Sequence, residues 1–266
     1  MIVNIPTSKD YEIIGKDCII QALTLIYDTF EDKDSNDLIN FYQRTLRNTI
    51  ILIYQGVEIL MKAEICKKTP LLIIDNKRKG WPSLPDSSNK DFNDFYTISG
   101  DDLLRTFFSV QEIWKDQSIK QNFIEFYNNL RKKRNIIMHG VIGIDLKPNN
   151  KIILCIEALS FFFGKTMWIQ ELKQDIKNNP ELQGLEKNSD LFFLYKLLKI
   201  IENSMTLTEL NKYLGIKLKK DRSKCCHCSN AIQVFSNNLI ADWTFIKDNK
   251  INCLICNKKT IKPKSR

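Results

Sequence analysis

Ile50-Ile-Leu-Ile-Tyr-Gln-Gly-Val-Glu-Ile-Leu-Met-Lys-Ala63 places Ile50, Ile53, Val57, Leu60 and Met61 at intervals of three and four residues. That spacing puts them on one face of a helix and predicts a buried amphipathic segment. The same pattern extends back through Leu46, Tyr42, Ile39 and Leu38 and forward to Ile65. Asp34-Ser-Asn-Asp37 supplies a start signal, so one long helix is expected from there to about Lys67. Gly56 weakens such a helix but lets a neighbouring helix approach closely.

The neighbouring segments read the same way. Ile13, Ile14, Ile19, Ile20, Leu23, Ile26, Tyr27 and Phe30 predict a helix over 11–30. Further helices are expected over 103–114, 118–138, 151–178, 191–201 and 207–214. Ser99-Gly-Asp-Asp102 looks like a capped, acidic start to the first of these. Between Thr69 and Ser99 the pattern breaks at Pro70, Gly80, Pro82 and Pro85, which predicts a long irregular connection. Connections of that length are more often functional than idle. The fold class expected is mainly α, a helical bundle, with something different at its C-terminal end.

That end begins after Gly215. Lys217-Leu-Lys-Lys-Asp-Arg-Ser-Lys224 reads as a basic linker, and 231–235, 239–246 and 250–255 read as strands. Cys225-Cys-His-Cys228 and Cys253-Leu-Ile-Cys256 form two C-x-x-C knuckles 24 residues apart. Each knuckle turns two thiolates to one point, and two knuckles supply a tetrahedral site suited to zinc, with iron as the less favoured alternative. Four thiolates leave no open position, so the metal would be structural, and its binding would drive the folding of so short a segment. The paired spacing favours Cys225, Cys228, Cys253 and Cys256 as ligands, with Cys226 or His227 as substitutes inside the first knuckle. The module resembles a zinc ribbon. Such ribbons bind DNA, RNA or proteins, or serve structure alone, and the resemblance does not choose among these.

The 266 residues carry a net charge of +9, and residues 217–266, with 12 Lys/Arg against 3 Asp/Glu, account for all of it. A basic end implies a polyanionic partner or a solubilising tail. No signal-peptide pattern or membrane-length apolar run is present, so a cytoplasmic protein is expected. Cys18, Cys66 and Cys155 lie singly in apolar helical patterns and read as small buried hydrophobes.

Arg131-Lys-Lys-Arg-Asn-Ile-Ile-Met-His-Gly140 contains one of the two histidines. A basic helix end closed by glycine would account for these residues. Asn135 and His139 nevertheless share a helix face that Arg131 extends, and Arg134, about 140° from His139, must reach round to join them. A phosphate at the helix end would then meet a guanidinium, an amide and an imidazole.

Arg134-Asn-Ile-Ile-Met-His139 resembles the Arg-x4-His signature of the HEPN family, and Tyr54–Ala63 resembles that family's second helix. The resemblance covers 13–178. It implies a HEPN-like helical ribonuclease domain over 1–180; the helical extension over 181–216 and the basic linker and ribbon over 217–266, read from their own patterns, lie outside it. It implies a metal-independent endoribonuclease in which the ribose 2′-OH attacks the adjacent phosphodiester. His139 would transfer the proton, Arg134 would neutralise the phosphate, Asn135 would orient it, and Arg131 would bind RNA. HEPN nucleases typically pair two motifs across a dimer cleft, so with one such histidine per chain the resemblance implies a homodimer. Glu58 is a candidate acidic partner, although a surface or salt-bridged role suits it better. The family's setting implies a toxin–antitoxin or antiviral-defence effector with an inhibiting antitoxin or an activating partner, for which 69–99 and the ribbon offer places to act. The alternative is a non-catalytic HEPN-like or zinc-ribbon module that binds nucleic acid or protein.

Overall fold

The computed structural model describes residues 1–31, 39–75, 89–111, 116–140, 147–178, 189–218, 222–233, 235, 240–248 and 250–261. Two long helices, α1 (Ser8–Glu31) and α2 (Ile39–Cys66), are followed by α3 (Gly100–Val110) and α4 (Gln117–Met138). Then come α5 (Pro148–Phe163), α6 (Met167–Asn178), α7 (Ser189–Asn203), α8 (Leu207–Leu214) and α9 (Cys226–Ile232). Strands β1 (Ile2–Val3) and β2 (Lys90–Asp91) pair in parallel. Strands β3 (Thr244–Lys247), β4 (Lys250–Cys253) and β5 (Lys259–Ile261) form an antiparallel meander. The protein is therefore mostly helical, with a small antiparallel sheet near the C-terminus. Among the described residues no single helix is long and apolar enough to cross a membrane.

The chain packs as two compact units. One holds Met1–Ala22 and Arg47–Asp145; the other holds Leu23–Leu46 and Leu146–Arg266. Helices α1 and α2 each contribute to both.

In the first unit α1 and α2 cross with almost no side chain between them. A Cβ on Gly56 would lie 2.7 Å from the carbonyl oxygen of Gly15 and 2.7 Å from Cγ1 of Ile19. Gly56 permits this approach, as its place in the apolar pattern predicts. Ile53, Val57, Leu60 and Met61 are buried beside it. Helix α4 starts at Asp116, whose carboxylate accepts from the amides of Ser118 and Ile119. It then buries Phe123, Phe126, Tyr127 and Leu130 along one stripe. Phe107 of α3 stacks on Phe123, ring centres 5.4 Å apart.

The connection expected over 69–99 is partly structured. A 3₁₀ turn at Pro70–Ile73 and a second at Phe92–Asp94 flank 76–88, which lie outside the described residues. Ile74, Phe92 and Phe95 form a small core against Ile2. The start signal at 34–37 also lies outside the described residues.

Four expectations are corrected. The helix over 151–178 is two helices, bent by 104° where Gly164 (φ +84°) and Thr166 (φ +66°) leave helical geometry. Ala231 and Ile232 are helical rather than strand and close α9, because two cysteines three residues apart face one point when the backbone between them is helical; residue 234 lies outside the described residues. Strand β3 begins only at Thr244, and β4 stops at Cys253, where the second knuckle turns. Ser99 occupies the cap position of α3, but its side chain makes no capping hydrogen bond.

Candidate functional site

Arg134 lies seven residues beyond Tyr127, so it continues the buried stripe of α4 toward α2. Its guanidinium carbon sits 5.6 Å from the ring centre of Tyr54, over the ring face. Its Nη1 donates to Oδ1 of Asn135 at 3.0 Å. Asn135 and Arg134 are thus joined directly, both half-buried, and the reach round the helix is made toward the amide. Arg131, Asn135 and His139 form the adjoining stripe. With Asn128, Lys132 and Ile136 they line an open depression of about 360 Å³ along α4.

His139 is the C-cap residue of α4. Its amide donates to the Asn135 carbonyl at 2.9 Å, and Gly140 (φ +70°) ends the helix in the left-handed region. The imidazole is exposed and makes no hydrogen bond among the described residues. Arg131 forms a 2.5 Å ion pair with Asp101 in the first turn of α3, and that carboxylate pushes its pKa further up. Arg134 is not among the lining residues of the depression and meets it through Asn135.

Behind Arg134 lies a polar cluster. Glu58 Oε1 accepts from the Tyr54 hydroxyl at 2.6 Å, from the Tyr127 hydroxyl at 2.9 Å and from the Gly100 amide at 3.3 Å. The two phenol oxygens are 3.3 Å apart. Burial, and then the bond to Glu58, pushes the Tyr54 phenol up to about 12; burial pushes Tyr127 higher still. Both hydroxyls stay protonated near neutrality and donate. Glu58 is partly buried and, among the described residues, forms no ion pair. It does the capping at the start of α3 that Ser99 leaves undone, and it fixes the ring on which Arg134 rests. Tyr54 and Tyr127 have no counterpart in the sequence reading; the only sign was that Tyr54 and Glu58 stand four apart on α2.

In the second unit the ligand atoms of Cys225, Cys228, Cys253 and Cys256 lie within 4.8 Å of one another. Cys225 and Cys256 sulfurs are 3.6 Å apart, and those of Cys228 and Cys253 are 3.8 Å apart. A tetrahedron with bonds of about 2.3 Å needs edges of about 3.8 Å, so the four thiols fit a metal ion. Cys226 and His227 are exposed and outside this cluster. The Cys228 thiol and the amide of Ile255 bond to the Cys253 sulfur and hold its pKa below the usual thiol range. The knuckles are anchored from outside. Lys173 of α6 donates to the Ile255 carbonyl at 2.9 Å, Gln170 to that of Leu254, and Phe192 of α7 stacks on Phe235. Arg222, in the stretch read as a linker, is buried and pairs with Glu202 at 2.5 Å and Asp242 at 3.1 Å.

In comparisons with known proteins the chain matches no family model, no curated protein and no solved structure.

Proposed function

We propose that the chain is a HEPN-type endoribonuclease with a structural zinc site at Cys225, Cys228, Cys253 and Cys256. The observation that carries the reading is the Arg134–Asn135 hydrogen bond beside a depression lined by Arg131, Asn135 and His139. Donors that suit a phosphate and an imidazole that can move a proton thereby occupy neighbouring stripes at one helix end.

In the proposed reaction the His139 imidazole takes the proton of a ribose 2′-OH as that oxygen bonds to phosphorus. The bond from phosphorus to the 5′-oxygen breaks, and the leaving oxygen takes up a proton from a second group. The products are a cyclic phosphate and a free 5′-OH. Arg134 keeps guanidinium donors beyond the one spent on Asn135 and neutralises the phosphate. The HEPN resemblance implies that the second proton-transfer group is His139 of a second copy, which would make a homodimer the working form. The four thiolates fill the zinc coordination sphere, so the ion serves folding rather than the reaction. The resemblance further implies a toxin or antiviral-defence effector; growth arrest on expression, relieved by His139→Ala, would support that setting.

The exposed imidazole, without a hydrogen bond among the described residues, favours the rival reading of a binding module that cuts nothing. One assay separates them. Purified wild type and His139→Ala are incubated with RNA and with single-stranded DNA in EDTA. RNA ends bearing cyclic phosphate, from wild type alone and with DNA spared, are expected. Intact RNA with folded, dimeric wild type would sink the nuclease reading.

A further inference from the structure

The sheet β3–β4–β5 has two unlike faces. Paired residues in an antiparallel ladder share a face, so Phe245, Asn252 and Lys259 stand together, as do Lys247 and Lys250. Alternation along the strands puts both sets on one side. The other side carries Thr244, Ile251 and Cys253, which are buried, with Thr260 partly so and Ile246 exposed at the hairpin end. On the first side Lys247, Lys250 and Lys259 are exposed, and Phe245 and Asn252 are partly so. Among the described residues none of the three lysines has a carboxylate partner.

Folding alone does not account for this face. Lys247 and Lys250 are direct cross-strand partners, and like charges so placed destabilise a hairpin. An aromatic ring beside unpaired lysines is what a single-stranded nucleic acid uses: cations track the phosphates and a base stacks on the ring. The exposed Lys258 and Lys224 in the same module add positive charge, and the four thiolates of a bound zinc ion offset only part of it.

We propose that this outer sheet face binds single-stranded RNA, with Lys247, Lys250 and Lys259 on the phosphates and Phe245 under a base. The choice of RNA rests on the ribonuclease reading, and the face would serve as a substrate-holding surface separate from Arg134, Asn135 and His139.

The test uses the zinc-loaded full chain carrying His139→Ala, so that binding is read without cleavage. Fluorescence anisotropy follows a labelled single-stranded oligouridylate across a salt series. Replacing Lys247, Lys250 and Lys259 together by Gln should weaken binding at least tenfold and lower the log–log salt slope by about 2, from about 0.7 per phosphate contact. Phe245→Leu, which keeps an apolar side chain but loses the aromatic face, should weaken binding about fivefold or more with the slope unchanged. Circular dichroism and zinc content identify any variant that has lost its fold. Unchanged affinity and slope in the folded triple variant would overturn the proposal, as would competition by polyglutamate equal to that by RNA, which would mark the face as a site for acidic proteins. Uncut RNA in the wild-type assay would sink the nuclease reading and leave this binding measurement standing.

Discussion

Glu58 holds three donors on one oxygen, and that sets the cost of removing it. A buried donor left without a partner costs about 1–3 kcal/mol. In Glu58→Ala the two phenols can turn to each other across 3.3 Å, so one hydroxyl and the Gly100 amide carry most of the loss. Glu58→Ala should destabilise the protein by about 2 kcal/mol in urea denaturation, and Glu58→Gln, which keeps a carbonyl acceptor, by about half as much. Equal losses in the two variants would show that the acceptor is not what matters. If Tyr54 is released in this way, Arg134 loses its platform, and any RNA cleavage should fall in Glu58→Ala more than in Glu58→Gln. At this scale the sequence was informative where partners are local. Asn135 and His139 are one helical turn apart, so their shared stripe could be read directly. The cluster around Glu58 draws on positions 54, 100 and 127, and no short-range pattern announces a meeting of three separated segments.

Gly56 offers a contest between two effects of opposite sign at the scale of the element. In an isolated helix Gly56→Ala should stabilise by about 1 kcal/mol. At the α1–α2 crossing the new Cβ would meet backbone oxygen and Ile19 at 2.7 Å, and overpacking of that kind costs about 1–3 kcal/mol. Backbone cannot swing aside like a side-chain end, so the clash should win and the thermal midpoint of Gly56→Ala should fall. A raised midpoint would mean that the two helices separate at little cost. The long helices were legible because each carries a buried stripe over several turns. The break between α5 and α6 was not, because apolar spacing continues on both sides and Gly164 alone marks it. Nor was α9, a helix of seven residues set by the geometry of the knuckle rather than by amphipathic pattern. Strand β5 escaped notice because Lys259-Thr-Ile261 is too short to show alternation.

Across the whole molecule, the C-terminal module is tied into a larger unit by groups that the composition of 217–224 concealed. A basic run between a helix and a cysteine knuckle reads as solvated linker, yet Arg222 is buried between Glu202 of α7 and Asp242 ahead of β3. Displacing one partner leaves the enclosed guanidinium poorly compensated, at a cost below the roughly 3–5 kcal/mol of a fully buried pair because Glu202 and Asp242 stay partly exposed. Lys173 and Gln170 of α6 bind carbonyls of the second knuckle, whose shape depends on the four-sulfur cluster. Removing the metal should therefore unfold more than the β3–β5 meander. Amide hydrogen exchange of the chelated protein, or of Cys253→Ser, is expected to speed up in α9 and β3–β5 and also along α6 and α7. Helices α3 and α4, in the other compact unit, should keep their protection, since none of these contacts involves them. Faster exchange confined to 222–261 would mean that the ion pairs and carbonyl contacts carry no coupling. Faster exchange in α6 and α7 would instead make the metal a keystone of the whole second unit, so that a chelator could lower RNA binding and stability together while leaving Arg134, Asn135 and His139 in place.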